Sequence, residues 1–88
     1  MAVQAQETPN PNAMKFTTDQ GAIFTGDGSV SVMPGQTSEY EIMNELMAVD
    51  GVDNVFGFGN FITVNKKMDA TWETLVPKVK GIFEQYSY

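Results

Sequence analysis

The sequence predicts an α+β fold, a two-layer sandwich in which two helices cover one face of a mainly antiparallel sheet of about four strands. The predicted order along the chain is β-β-α-β-β-α. Short segments alternate apolar and polar residues, as half-buried strands do, and two longer segments repeat apolar residues every three or four positions, as helices do. Because each helix buries one apolar stripe, both helices need a sheet to cover.

Strands are predicted on both sides of a proline-rich break near the start of the chain. Residues 2–8 alternate weakly, as a short edge strand does, and Met14–Thr17 alternates again. Between them lies Thr8–Asn12, with the sequence TPNPN, whose two prolines each fix φ and remove a backbone donor. Strand pairing therefore has to stop there, and we interpret the run as a structural kink, with a binding site as the alternative.

Two further strand-like segments, Ala22–Thr25 and Ser29–Met33, are separated by a glycine-rich stretch. Gly26–Ser29 has the composition of a hairpin turn. A phosphate-binding loop is the alternative, but the segment lacks the Lys-Ser/Thr ending and no helix pattern follows it. We therefore favour the hairpin turn.

The first helix is predicted in the middle of the chain. Ser38, with Glu41 three residues later, is typical of a capping box at a helix N-terminus. The apolar stripe behind it consists of Ile42, Met43, Leu46 and Met47. Gly51 is predicted to end this helix, because glycine readily adopts the left-handed conformation that closes a helix C-terminus.

A β-hairpin is predicted next, because Val55–Phe58 and Phe61–Val64 flank a Gly-Asn turn. Successive strand residues point to opposite faces, so the phenylalanines at 56, 58 and 61 cannot all share the face of Val55 and its matching neighbours. At least one is expected to be exposed, as a contact residue. For any single one of them, burial beneath the second helix is the favoured interpretation.

The second helix is predicted to begin near Asp69 or Thr71. Its apolar stripe, at steps of three and four residues, consists of Trp72, Leu75, Val76, Val79, Ile82, Phe83 and Tyr86. Pro77 lies inside the helix and removes one backbone hydrogen bond, so we expect a bend.

A chain of 88 residues has room for a single domain, residues 1–88, and it contains no cysteine, histidine or arginine. Without them the chain cannot build a disulfide, a thiolate nucleophile, an imidazole base or an ordinary zinc site. We therefore predict that the protein is not an enzyme and that it has no catalytic residue, cofactor or metal ligand. Asp50 and Asp53 could share a divalent ion, but we interpret them as solvated turn residues because no loop of alternating oxygen ligands surrounds them.

The net charge of −6 bears on the partners of the protein. Nucleic acids and anionic membranes bind clustered basic residues, so neither is predicted as a partner. The apolar runs are far shorter than the ~20 residues that span a bilayer. Residues 1–7 lack the basic and apolar regions of a signal peptide, so a cytoplasmic location is expected.

Partner-binding residues are predicted where the chain departs from regular pairing, at the Pro9–Asn12 kink and the Gly57–Asn60 hairpin tip. Asn10 and Asn12 offer amide donors and acceptors. Phe58 can add an apolar anchor beside them if the two segments lie at one end of the sheet. The alternative is that both asparagines bind their own backbone and serve only the turn.

Four blocks of sequence carry a family resemblance. They are Glu7–Phe16 (ETPNPNAMKF), Val49–Val52 (VDGV) with Val55 and Phe56, Asn60–Val64 (NFITV) and Trp72–Pro77 (WETLVP). Together they resemble the N-terminal domain of Nfu/NifU-type iron–sulfur scaffold proteins, over nearly the whole chain. The TPNPN run followed by a Lys-Phe strand is the most specific of them.

In that family a separate C-terminal domain with a Cys-x-x-Cys pair holds the cluster, whereas this sequence has no cysteine. The resemblance therefore implies a small accessory module that binds protein partners, such as iron–sulfur assembly or client proteins. It implies no catalytic residues, and without thiolate ligands we expect that the module cannot hold a cluster itself. The alternative is a protein-interaction domain unrelated to iron–sulfur maturation.

Overall fold

Five strands and two helices form the described part of the protein, residues 3–26 and 28–88 of a computed structural model. In chain order they are β1 (Val3–Glu7), β2 (Ala13–Thr18), β3 (Val30–Val32), α1 (Glu41–Met47), β4 (Val52–Phe58), β5 (Phe61–Lys66) and α2 (Trp72–Gln85). All neighbouring strands pair antiparallel, in the order β1-β2-β5-β4-β3. The predicted α+β fold is confirmed, with five strands in place of about four. Asp27 of the predicted Gly26–Ser29 hairpin turn lies outside the described residues.

The core lies between one face of the sheet and the two helices. Phe16 pairs with Ile62, and Val55 pairs with Val64, and all four side chains are fully buried. The helix α2 adds Leu75, Val79 and Phe83. Because α1 packs on β3 and β4 and also contacts α2, both helices cover the same face, as predicted.

The predicted strand at Ala22–Thr25 is wrong, because this segment is irregular. The backbone N–H groups of Ile23 and Phe24 both donate to the carbonyl of Gly59, at 2.9 and 3.0 Å. Two consecutive donors that converge on one oxygen cannot continue a strand ladder, in which donors alternate in direction. The two apolar side chains that indicated a strand are instead buried in the core.

The predicted capping box of α1 is wrong, since the N-cap is Tyr40 and makes no side-chain cap bond. The backbone N–H of Ser38 donates to Asn44 Oδ1 at 2.7 Å, and its carbonyl accepts from Asn44 Nδ2 at 2.8 Å. The ring of Tyr40 packs edge-on against Phe24, with centroids 4.9 Å apart. The N-cap at Tyr40 lies two residues after Ser38, and the helix begins at Glu41.

The ends of the two helices differ in how well the sequence predicts them. The helix α1 ends with a cap at Ala48, so Gly51 does not cap it directly. Gly51, with φ +99°, instead turns the chain into β4. The helix α2 begins after the N-cap Thr71, as predicted, and contains Pro77.

The strands β4 and β5 form the predicted hairpin, in which Phe58 pairs with Phe61. Gly59 in the turn has φ +59°, a conformation that favours glycine. Gly57 lies on the core face, where the ring of Phe24 occupies the space that a Cβ atom would need. The irregular segment around Phe24 therefore packs directly onto the hairpin.

Candidate functional site

The kink at residues 8–12 is held by hydrogen bonds from its own side chains. Thr8 Oγ1 donates to the carbonyl of Ala13 at 3.0 Å and accepts from the N–H of Asn10 at 3.2 Å. Asn10 Oδ1 accepts from the N–H of Asn12 at 2.9 Å. These bonds stand in for the ladder bonds that the two prolines cannot make. They favour the alternative interpretation of Asn10, in which its side chain serves the turn.

Two residues that are distant in sequence attach the kink to the rest of the domain. Trp72 Nε1 donates to the carbonyl of Pro11 at 3.0 Å. Lys66 donates twice to Asn12, from its backbone N–H to the carbonyl at 2.8 Å and from Nζ to Oδ1 at 3.2 Å. The kink is therefore a fixed part of the scaffold that presents its exposed groups in one geometry.

A groove of about 220 Å³ lies between the kink and α2. Its lining consists of Glu7, Thr8, Pro9, Asn10, Pro11, Ala13, Met14 and Trp72. The volume is smaller than the roughly 300–1,000 Å³ that is typical of small-molecule sites. The groove is therefore better suited to one side chain of a partner than to a cofactor.

Three phenylalanines form a cluster on the sheet face that points away from the helices. Phe56 and Phe58 are 38% and 46% exposed, and Phe61 is half-buried. The ring centroid of Phe61 lies 6.3 Å from each of the other two. Lys15 Nζ lies 4.4 Å from the Phe61 ring centroid, in cation–π contact. We call these four residues the outer-face cluster.

The register of β4 explains why these rings are exposed. Val55 and Gly57 occupy the core face, so Phe56 and Phe58 must point outward by the alternation of the strand. The expectation that at least one phenylalanine is exposed is confirmed. The favoured interpretation that α2 covers Phe56 or Phe58 is wrong, because both helices lie on the other face.

The structure does not bring the predicted partner-binding residues together. The kink with Asn10 and Asn12 comes directly before the first residue of β2. The hairpin tip lies beside the last residue of β2, Thr18, whose N–H donates to the Asn60 carbonyl at 3.0 Å. Because strands rise ~3.3 Å per residue, the kink and Phe58 lie at opposite ends of the sheet, separated by roughly 17 Å. The predicted grouping is therefore wrong, and the kink and the tip are two separate candidate contacts.

The acidic residues of the turn after α1 form no common site. Asp50 and Asp53 line different grooves, and Asp53 Oδ2 accepts from Asn54 Nδ2 at 2.7 Å. Within residues 3–26 and 28–88, no three Asp or Glu side chains are grouped so that they could hold a metal ion. In the same part of the chain, neither helix has the length and hydropathy that crossing a membrane requires.

Known proteins similar to this chain include two longer relatives. A NifU-like protein of Schizosaccharomyces pombe is 33% identical over 85 residues, which are 96% of this chain and 33% of the relative. The NFU1 iron-sulfur cluster scaffold homolog, mitochondrial, of Drosophila erecta is 31% identical over 88 residues, which are 98% of this chain and 30% of the relative. The chain therefore spans about a third of the length of either relative.

A solved structure shares the fold over the full domain. The crystal structure of protein SAV1430 from Staphylococcus aureus superimposes with a TM-score of 0.81 at 36% sequence identity, covering 94% of this chain and 99% of that one. The family described as scaffold protein Nfu/NifU N terminal matches residues 3–88. This match includes the TPNPN kink, the hairpin and both helices. The chain thus belongs to the Nfu/NifU scaffold family, and it matches the N-terminal domain of that family.

Proposed function

We propose that this domain is a non-catalytic accessory module that binds protein partners in iron–sulfur cluster assembly or delivery. The observation that carries the proposal is the family match over residues 3–88. The related protein of Drosophila erecta is named an iron-sulfur cluster scaffold homolog, and this chain covers 30% of its length. In this proposal the domain recognises a partner and carries out no chemical step.

The chemistry of the side chains supports a role that does not include holding the cluster. Iron–sulfur clusters are bound by cysteine thiolates, with histidine as the occasional replacement. The chain has neither residue, so its remaining anionic ligands are carboxylates. The lack of imidazole and thiol groups also removes the usual general bases and nucleophiles, which supports a role other than catalysis. We place this role in the cytoplasm, where proteins without disulfides are the rule.

The proposal is tested by capture of partners under anaerobic conditions. The immobilised full chain is exposed to a cell extract, and the bound proteins are identified by mass spectrometry against a control with the tag alone. Enrichment of iron–sulfur scaffold or client proteins is the expected result. Reproducible capture of proteins without any connection to iron–sulfur maturation would overturn the proposal and favour a reuse of the fold for another interaction.

A further inference from the structure

The outer-face cluster exposes apolar surface that the domain itself does not use for folding. Four large apolar side chains are exposed in the described chain, and two of them, Phe56 and Phe58, belong to this cluster. Both contact Phe61, so the three rings form one continuous surface. Single exposed apolar residues are common on soluble proteins, but contiguous apolar patches are not. A group of exposed aromatic residues therefore marks a binding surface.

The charge around this cluster differs from that of the domain as a whole. Lys15 is the charged residue of the cluster, and its ammonium group lies against the ring of Phe61. The acids of the described strands are Glu7, which pairs with Met14 on the core side, and Asp53, at the bulge of β4. A domain with a net charge of −6 thus presents an ammonium group beside its exposed rings.

We propose that the outer-face cluster binds a segment of a protein partner in which apolar side chains are combined with carboxylates. The rings offer apolar contact area, and the ammonium group of Lys15 keeps donors free for a carboxylate because its contact with Phe61 is a cation–π contact. This inference rests on the proposed function, since it names the surface and the chemistry of the partner.

A second copy of this chain fits the outer-face cluster less well than such a partner segment. A two-fold contact uses the same face of both copies, so it would place two Lys15 ammonium groups in one interface. It would also join two domains that each carry a net charge of −6. A nucleic acid is disfavoured as well, because one lysine neutralises too little phosphate charge to give appreciable affinity.

The test uses two synthetic peptides of equal length. In the first, Phe and Leu alternate with Glu, and in the second every Glu is replaced by Gln. Titration of the full chain, followed by proton–nitrogen correlation NMR, should shift the amide signals of Lys15, Phe56, Phe58 and Phe61. The acidic peptide should bind about tenfold more tightly than its Gln counterpart, as expected for one favourable charge contact worth ~1.4 kcal/mol.

Variants connect that preference to the cluster. Lys15→Gln should remove the preference for the acidic peptide, whereas Lys78→Gln, at an exposed lysine of α2, should leave it unchanged. Phe58→Ser should weaken binding of either peptide about tenfold with the thermal midpoint maintained. Equal affinity for both peptides, shifts confined to the Pro9–Asn12 kink, or dimerisation through this face in sedimentation analysis would each overturn the proposal.

Repeating the anaerobic capture experiment with the variants separates this inference from the proposed function. Loss of the captured iron–sulfur proteins on Phe58→Ser or Lys15→Gln supports both proposals. If both variants capture the same iron–sulfur proteins as the unmodified chain, the function stands and the outer-face cluster is not the binding surface. If the peptides bind as expected but the capture reproducibly yields only proteins without any connection to iron–sulfur maturation, the surface assignment stands and the function is overturned.

Discussion

The indole of Trp72 donates a hydrogen bond from Nε1 to the carbonyl of Pro11, 3.0 Å away, and so joins two segments that are 61 positions apart. Trp72 is the first residue of α2, and Pro11 lies in the kink between the first two strands. The ring of Trp72 also lies 6.4 Å from that of Phe16 in the core. One side chain therefore connects the kink, the helix start and the core.

Replacement of Trp72 should separate these contributions. We expect Trp72→Phe to lower the free energy of unfolding by about 1 kcal/mol, because the carbonyl of Pro11 loses its donor. Trp72→Ala should lower it by about 2–4 kcal/mol, because the packing against Phe16 is lost as well. Urea unfolding followed by circular dichroism measures both variants. Identical stability of Trp72→Phe and the unmodified protein would show that the hydrogen bond contributes nothing.

Substitution of Asn10 should mainly change the stability of the domain, because its side chain serves the turn. Asn10→Ala removes the acceptor for the N–H of Asn12, so the free energy of unfolding should fall by about 1 kcal/mol. Asn10→Asp keeps that acceptor and should be nearly as stable as the unmodified chain. Thermal unfolding of the three proteins checks this. A midpoint for Asn10→Ala equal to that of the unmodified chain would return Asn10 to the candidate binding residues.

A methyl group at Gly57 should be poorly tolerated, because the ring of Phe24 occupies its place. We expect Gly57→Ala to lower the free energy of unfolding by about 3 kcal/mol or to prevent folding. Gly81→Ala is the matched control, because the new Cβ would meet nothing within 4 Å on an exposed position of α2. It should raise the stability by about 0.5–1 kcal/mol. Comparable stability of the two variants in urea would contradict the close packing of the Phe24 ring against Gly57.

The phenol of Tyr86 should ionise at a higher pH than that of an ordinary tyrosine. Its hydrogen bond to the Glu45 carboxylate, with lesser contributions from burial and from the charges of Glu45 and Glu41, raises its pKa from 10.0 to about 12. Because the folded state holds this proton more tightly, the associated stability is present below pH 10 and is lost as the pH rises towards 12. In an ultraviolet pH titration, Glu45→Gln should move the ionisation of Tyr86 back towards pH 10. An unchanged titration curve would contradict the assignment.

The lack of thiol ligands predicts the outcome of cluster reconstitution. After anaerobic incubation with iron and sulfide and removal of the free ions, the protein should show no charge-transfer absorption and negligible bound iron. Iron analysis and visible absorption spectra provide the measurement. Retention of one cluster per chain would mean that ligands other than cysteine and histidine suffice.

The sequence predicts this fold well where local pattern and tertiary environment agree. The hairpin turn, the stripe of α2 and the edge strand β1 follow from periodicity and turn chemistry alone. The segment Ala22–Thr25 fails because burial by irregular packing leaves the same apolar pattern as burial in a strand. The capping box fails because Asn44 competes for the backbone of Ser38, a contact across six positions that no local rule includes.

The candidate surfaces are predicted less well than the fold, because their positions depend on register. Sequence alone places Asn10 in a kink and Phe58 near a hairpin tip, but which sheet end each occupies follows from how β2 pairs with β5. Nothing in the local sequence singles out Lys15 as a contact residue, although strand alternation places it on the outer face, one position before the apolar Phe16. Its proximity to Phe61 depends on the pairing of the two strands.

The backbone amides of Ile23 and Phe24 share one hydrogen-bond acceptor, the carbonyl of Gly59 in the hairpin turn. Neither amide can be protected from hydrogen exchange until the turn between β4 and β5 has formed, because that turn supplies the acceptor for both. Opening of the hairpin tip removes the acceptor from both amides at once, so both should exchange at least as fast as the tip opens. The hydrogen-exchange protection of this irregular stretch therefore depends on a turn that lies 35 or more positions away along the chain.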